Sequence, residues 1–212
     1  MRGGAAAPLL LVRLGDALTA VGAWPGRLAS WLTLAIVAAV LGAVVGSYLQ
    51  LSELAAWGVR LPLLGSHLSL TGLAELQWHL FAVLVMLGGA YALRSDQHIR
   101  VDLVYSHLSP RWRWTIDLLG DLLFLIPFCA AMVWLSLGFV RMAYISGEQS
   151  DYGGLVDRYL IKAILPVGFA LLALSGAGRA IGNLGRLLGG DGDVGGASAE
   201  PHDHHHHGAS RG

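Results

Sequence analysis

ELQWHLFAVLVMLGGAYALRSDQHIRVDLV, Glu75 to Val104, is the stretch on which the fold turns. Leu76 to Leu93 is eighteen residues without a formal charge, and Arg94, Asp96, Arg100 and Asp102 then fall within nine positions. An α-helix of roughly 17 to 25 apolar residues crosses a bilayer core of about 30 Å. The run therefore reads as a membrane span, and the charges behind it as the point where the chain returns to water.

Three further runs have the same form. They are Leu28 to Ser52 between Arg27 and Glu53, Leu122 to Val140 between Asp121 and Arg141, and Ala163 to Gly178 between Lys162 and Arg179. Composition agrees: 55% of residues are hydrophobic and 13% charged, and the mean hydropathy is +0.59. A globular chain carries about a quarter charged residues, so the sequence describes an all-α integral membrane protein. Its four transmembrane helices are expected over about 28–52, 76–93, 115–145 and 160–181.

Residues 1–26 precede the first span. Arg13 and Asp16 interrupt their apolar run, and no small-residue cleavage site follows, so the segment is expected to be retained. Leu10, Leu14, Ala17, Leu18 and Val21 share one helical face, as in an amphipathic helix lying in the interface plane. Residues 187–212 form a Gly/Ser/Asp/His-rich tail whose composition predicts disorder. Nothing fixes its five histidines, His202 and His204 to His207, as a metal site.

Basic residues accumulate in cytoplasmic segments and so orient the chain. Ten lie in the amino terminus, the second connection and the carboxyl terminus, against four (Arg60, Arg141, Arg158 and Lys162) on the other side. Both termini are expected in the cytoplasm.

Enzyme chemistry leaves no trace. The sequence has no G-x-S-x-G, H-E-x-x-H, phosphate-binding loop or dinucleotide fingerprint. A haem held between helices needs facing histidines, and His79 is the one histidine within an apolar run, reading instead as an interfacial residue beside Trp78. Cys129 reads as a small packed apolar residue.

The informative charges sit at the span boundaries. Arg113, Asp117 and Asp121 follow each other at i, i+4 between Trp112, Trp114 and the third span. The two carboxylates are expected to pair with Arg94 or Arg100 and fix the hairpin between spans two and three. Surface pairs of this kind contribute about 0 to 1 kcal/mol each. Pro127 and Pro166 each remove a backbone donor and are expected to bend their helices. Gly42 and Gly46 in the first span, and Gly168, Ser175, Gly176 and Gly178 in the fourth, suit close helix approach within the chain or to a partner.

The order of these features resembles the small membrane subunit of tripartite ATP-independent periplasmic (TRAP) transporters, the DctQ-like family, from about Trp31 to Ile181. ELQWHLFAVLVMLGGAYALR opens the second span, and DQHIRVDLVYSHLSPRWRW supplies the family's H-x-R-x-D and S-P-R. YISGEQSDYGGLVDRYLIKAILPVGF supplies G-E-x-S, G-L, an Arg with an aromatic, I-K and P-x-G-F in the family's order. The chain departs where the family often has L-P before the Arg and Trp at position 159: here the run is Leu155-Val156-Asp157-Arg158-Tyr159. That departure leaves the substrate subgroup open.

The resemblance implies a non-catalytic small permease subunit in the bacterial inner membrane. It would scaffold a large permease subunit for sodium-coupled uptake of an organic acid delivered by a periplasmic binding protein. The implied partners are these two proteins and membrane lipids, not nucleic acid. The subunit itself would carry no cofactor, sodium being expected in the large subunit. His98, Arg100 and Asp102 match the cytoplasmic motif, and Glu148, Ser150, Arg158 and Lys162 the outer one. With Asp117 and Asp121 they are the candidate interface or structural residues. A membrane anchor for a redox enzyme and a self-sufficient small transporter are the alternatives. The missing histidine pair counts against the first, and the charge-free spans against the second.

Overall fold

The computed structural model describes residues 6–95 and 108–189. Among these, four helical segments are long and apolar enough to cross a membrane: Ala6–Tyr48, Leu70–Arg94, Pro110–Ile145 and Tyr159–Gly189.

The first consists of α1 (Ala6–Ala29) and α2 (Leu32–Tyr48), joined at Ser30 and Trp31. At the joint Trp31, Thr33 and Leu34 donate to carbonyls three residues back, so the chain tightens without leaving a helical course. α3 (Leu70–Arg94) runs antiparallel to both. Gly46 faces Leu70, Gly42 faces Leu73, the Gln77 amide donates to the Ala39 carbonyl (3.2 Å), and Gly26 lies against Leu87 and Tyr91. Ser69 caps α3, its Oγ accepting from the Gly72 N–H at 3.0 Å.

The third segment is α4 (Pro110–Gly120), a single π-helical turn (Asp121–Leu125) and α5 (Ile126–Ile145). Pro110 occupies the first helical turn, where its missing donor costs nothing. Pro127 cannot donate to the Leu123 carbonyl, and the π-turn falls just upstream, where the Ile126 N–H reaches five residues back to the Asp121 carbonyl. The fourth segment is α6 (Tyr159–Lys162) followed by α7 (Ile164–Gly189). Its interruption at Ala163 lies one turn before Pro166, whose ring removes the donor for the Lys162 carbonyl.

α7 is the hub, packed by α1, α3, α4 and α5. Its buried face consists mostly of small residues: Gly168, Ser175, Gly176, Gly178, Ala180, Gly182 and Gly185. Gly178 opposes Gly15 and Thr19 of α1, Gly185 opposes Pro8 and Leu11, Gly168 meets Met86 of α3, and Gly176 meets Leu125. These small residues therefore serve contacts within the chain. Cys129 is fully buried in the seam of α5, with Ser136 and Ala143 at seven-residue spacing.

One element departs from an all-α reading. β1 (Glu53–Leu61) and β2 (Gly65–Ser69) form an antiparallel hairpin between α2 and α3. Its turn, Pro62 to Leu64, needs left-handed backbone at Leu63 (φ 71°) and Gly65 (φ 69°). The Trp57 indole N–H donates across the pair to the Gly65 carbonyl at 2.9 Å. Glu53 pairs with Ser69, Ala56 with His67 and Leu61 with Gly65, with irregularities in register between them.

Candidate functional site: clasps at both ends of the bundle

At the end of the bundle bearing the hairpin, the G-E-x-S segment closes α5 and ties the following loop to α3. Gly147 (φ 60°) and Glu148 donate back to the Tyr144 and Ala143 carbonyls, a left-handed glycine cap that turns the chain over the helix end. Ser150 Oγ then donates to Glu75 Oε1 at 2.5 Å and accepts from the Tyr152 N–H at 3.2 Å. The other Glu75 oxygen accepts from the Leu155 N–H at 2.9 Å. Gly154 makes this approach possible, since a Cβ there would stand 2.5 Å from Glu75 Oε2. Leu155 is buried beneath the loop.

Glu148 forms an ion pair with Lys162, whose ammonium also sits 4.0 Å from the centre of the Phe139 ring. The Arg158 N–H donates to the Glu148 carbonyl (3.1 Å), while its buried Nε has no hydrogen-bond partner among the described residues. The hairpin joins the same cluster. The Val156 N–H donates to the Leu63 carbonyl (2.9 Å), and Arg60 lies 3.3 Å from Asp157. Asp157 holds φ 52°, a conformation closed to proline.

At the opposite end, Asp121 is 1% exposed and grips the Arg179 guanidinium with both oxygens, Nε to Oδ2 at 2.7 Å and Nη2 to Oδ1. For Asp121 this replaces the expected pairing with Arg94 or Arg100. The i, i+4 register between Asp117 and Asp121 holds, the Asp121 N–H donating to the Asp117 carbonyl, and that face of α4 turns toward α7 rather than toward the end of α3. Asp117 stays on α4 and lines a cavity that also contains Arg94, Arg113 and Arg179. His98, Arg100 and Asp102 lie outside the described residues. His79 donates from Nδ1 to the Glu75 carbonyl at 2.6 Å, one turn back in its own helix.

The structure thus joins Ser150 to Glu75, Glu148 to Lys162, and Asp121 to Arg179. Glu75 and Arg179 were absent from the sequence-based candidates. The available signal was their position as the charges bounding the second and fourth apolar runs.

A family model for the DctQ component of tripartite ATP-independent periplasmic transporters matches residues 63–186, more than half of the chain. The chain belongs to this family. The match begins after α1, α2 and β1, later than the sequence resemblance from Trp31, and takes in both clasps. No curated protein and no solved structure matches. This DctQ-family chain is therefore a transporter component and a multi-pass membrane protein.

The clasp at the hairpin end yields a prediction. Glu75→Ala removes the acceptor for both Ser150 and the Leu155 N–H, and an unsatisfied buried donor costs about 1 to 3 kcal/mol. Trypsin should then cut at Arg158 several-fold faster in the DctQ-family chain, with Glu75→Gln intermediate. Unchanged cleavage would show that the loop is held by other contacts.

Proposed function

We propose that the chain is the non-catalytic small permease subunit of a TRAP-type secondary transporter in a bacterial inner membrane. Both termini lie in the cytoplasm, as the ten-to-four distribution of basic residues directs. In this arrangement Glu75, Ser150 and Lys162 face the compartment of the binding protein, and Asp121 and Arg179 face the cell interior.

The observation that carries the reading is how the charges at the ends of the spans are used. Asp121 with Arg179, Glu148 with Lys162, and Glu75 with Ser150 are fastened to each other across helices. A substrate site for an anion instead needs polar groups and broken helices presented at mid-membrane. Clasped ends around a hub of small residues make a stiff bundle, suited to bracing a larger subunit while that subunit moves. α5 and the π-turn before it present Phe124, Trp134, Leu135 and Met142 outward, an apolar face for lipid or for the large subunit's helices. Substrate choice and sodium coupling belong to the binding protein and the large subunit.

Uptake by membrane vesicles tests this. With the large permease and binding protein present, an inward sodium gradient should drive accumulation of one class of labelled organic acid among dicarboxylates, keto acids, lactate and sugar acids. Accumulation should vanish when the gene for this chain is deleted and return when it is restored. Undiminished uptake without the chain, or uptake by the chain alone, would contradict the reading.

A further inference from the structure

α5 turns Cys129, Ser136 and Ala143 into the bundle. The opposite side of the helix carries Ala131, Trp134, Gly138 and Arg141, all exposed, at the i, i+3, i+7, i+10 spacing that keeps residues on one helical face. Trp134 is 79% exposed, and its indole N–H meets no acceptor among the described residues. At 1.5 Å per residue it stands about 20 Å along the axis from Asp121 and about 10 Å from Arg141. It is therefore well inside the apolar run Leu122 to Val140.

Helical side chains lean toward the amino end of their own helix, which for α5 is the Asp121 end. The indole is thus directed away from the nearer membrane boundary, into a depth where lipid tails offer no acceptor. Trp78, 75% exposed, is the contrasting case. It follows Glu75 by three residues and leans toward the hairpin end, where headgroups and water satisfy an N–H.

Arg141, on the same stripe as Trp134, has neither an ion pair nor a hydrogen bond among the described residues. Its stem leans back over Gly138, where a Cβ would meet nothing within 4 Å. A donor, a gap and a cation therefore follow one another along one line. α2 differs: its exposed Leu34, Val37, Leu41 and Val44 present hydrocarbon alone, as a lipid-facing surface does.

We propose that this stripe of α5 docks a transmembrane helix of the large permease subunit. That helix sets an acceptor against the Trp134 N–H, a side chain into the gap at Gly138, and a carboxylate against Arg141. The inference rests on the reading of this chain as the small permease subunit. A second copy of the chain does not fit, because the carboxylates at the hairpin end of its spans, Glu75 and Glu148, are held by Ser150 and Lys162.

Benzoylphenylalanine placed at Ala131 and photolysed in native membranes should form an adduct with the large subunit. Purification in mild detergent then reads the large subunit retained per chain. Trp134→Phe, which keeps a ring and loses the N–H, should lower retention about three- to tenfold. Arg141→Gln and Gly138→Leu should each lower it about tenfold, and Trp78→Phe should leave it unchanged. Because the stripe faces away from its own bundle, the isolated variants should unfold in mixed detergent as the wild type does, which separates lost docking from lost folding. Wild-type retention by folded Trp134→Phe and Arg141→Gln, equal loss with Trp78→Phe, or adducts at Ala131 with lipid or a second copy alone would overturn the docking surface. If the wild-type chain still retains the permease, the subunit assignment survives that result. A wild-type chain that retains no permease would overturn both.

Discussion

Asp121→Ala should destabilise the bundle by roughly 3 to 5 kcal/mol, the range for removing one member of a buried ion pair. The carboxylate is 1% exposed and bonds Arg179 with both oxygens, whereas the arginine side chain is about a quarter exposed. Because water reaches Arg179, the lower end of the range is expected. Asp121→Asn keeps the shape but loses the charge and should fall between the wild type and Asp121→Ala. Replacing both partners, Asp121→Leu with Arg179→Met, should recover part of the loss, since the two charges of the pair are removed together. Equilibrium unfolding in mixed detergent reads these differences. An Asp121→Ala chain within about 1 kcal/mol of the wild type would show that the pair is peripheral to the fold.

The second large effect concerns the contact of α1 with α7. A Cβ at Gly15 would stand 2.5 Å from the Gly178 carbonyl oxygen and 2.6 Å from the Gly182 nitrogen. A Cβ at Gly178 would stand 2.7 Å from the Gly15 oxygen and 2.8 Å from the Thr19 nitrogen. These are backbone atoms and cannot swing aside, so the helices must separate. Gly15→Ala and Gly178→Ala should each cost about 1 to 3 kcal/mol or more, and Gly178→Val more still. They should also expose Arg13 to trypsin as α1 loosens.

Gly88 provides the control, since a methyl group added there would meet nothing within 4 Å. Gly88→Ala should be neutral or stabilise by up to about 1 kcal/mol through helix propensity. The same chemical change thus carries opposite signs at two helical glycines. Equal thermal shifts for Gly15→Ala and Gly88→Ala would contradict the docking of α1 on α7.

The four membrane-crossing segments were legible because an apolar run bounded by charges depends on the bilayer rather than on the rest of the chain. The course of α1 was harder to read. Its larger apolar residues Leu10, Leu14 and Val21 are exposed, while Pro8, Gly15, Gly22 and Gly26 are buried against its neighbours. Hydrophobic periodicity along α1 therefore marks the face turned away from the bundle, and the docking face is marked by what is small.

The clasps were only half legible. Ser150 and Asp121 stood out as charged or motif residues near the span ends, but their partners are distant in sequence. Glu75 precedes Ser150 by 75 positions, and Arg179 follows Asp121 by 58. For Asp121 the helical register with Asp117 held, and what spacing could not show was which helix that face meets, α7 with Arg179. The hairpin had a signal in Pro62 and Gly65, which punctuate the connection at its turn.

The most direct measurement is purification of this chain from its native membranes in mild detergent, with every co-purifying protein identified by mass. A small TRAP subunit should bring down a large polytopic permease in fixed stoichiometry. Recovery of the chain alone, or with a soluble redox enzyme, would contradict its assignment as a companion subunit.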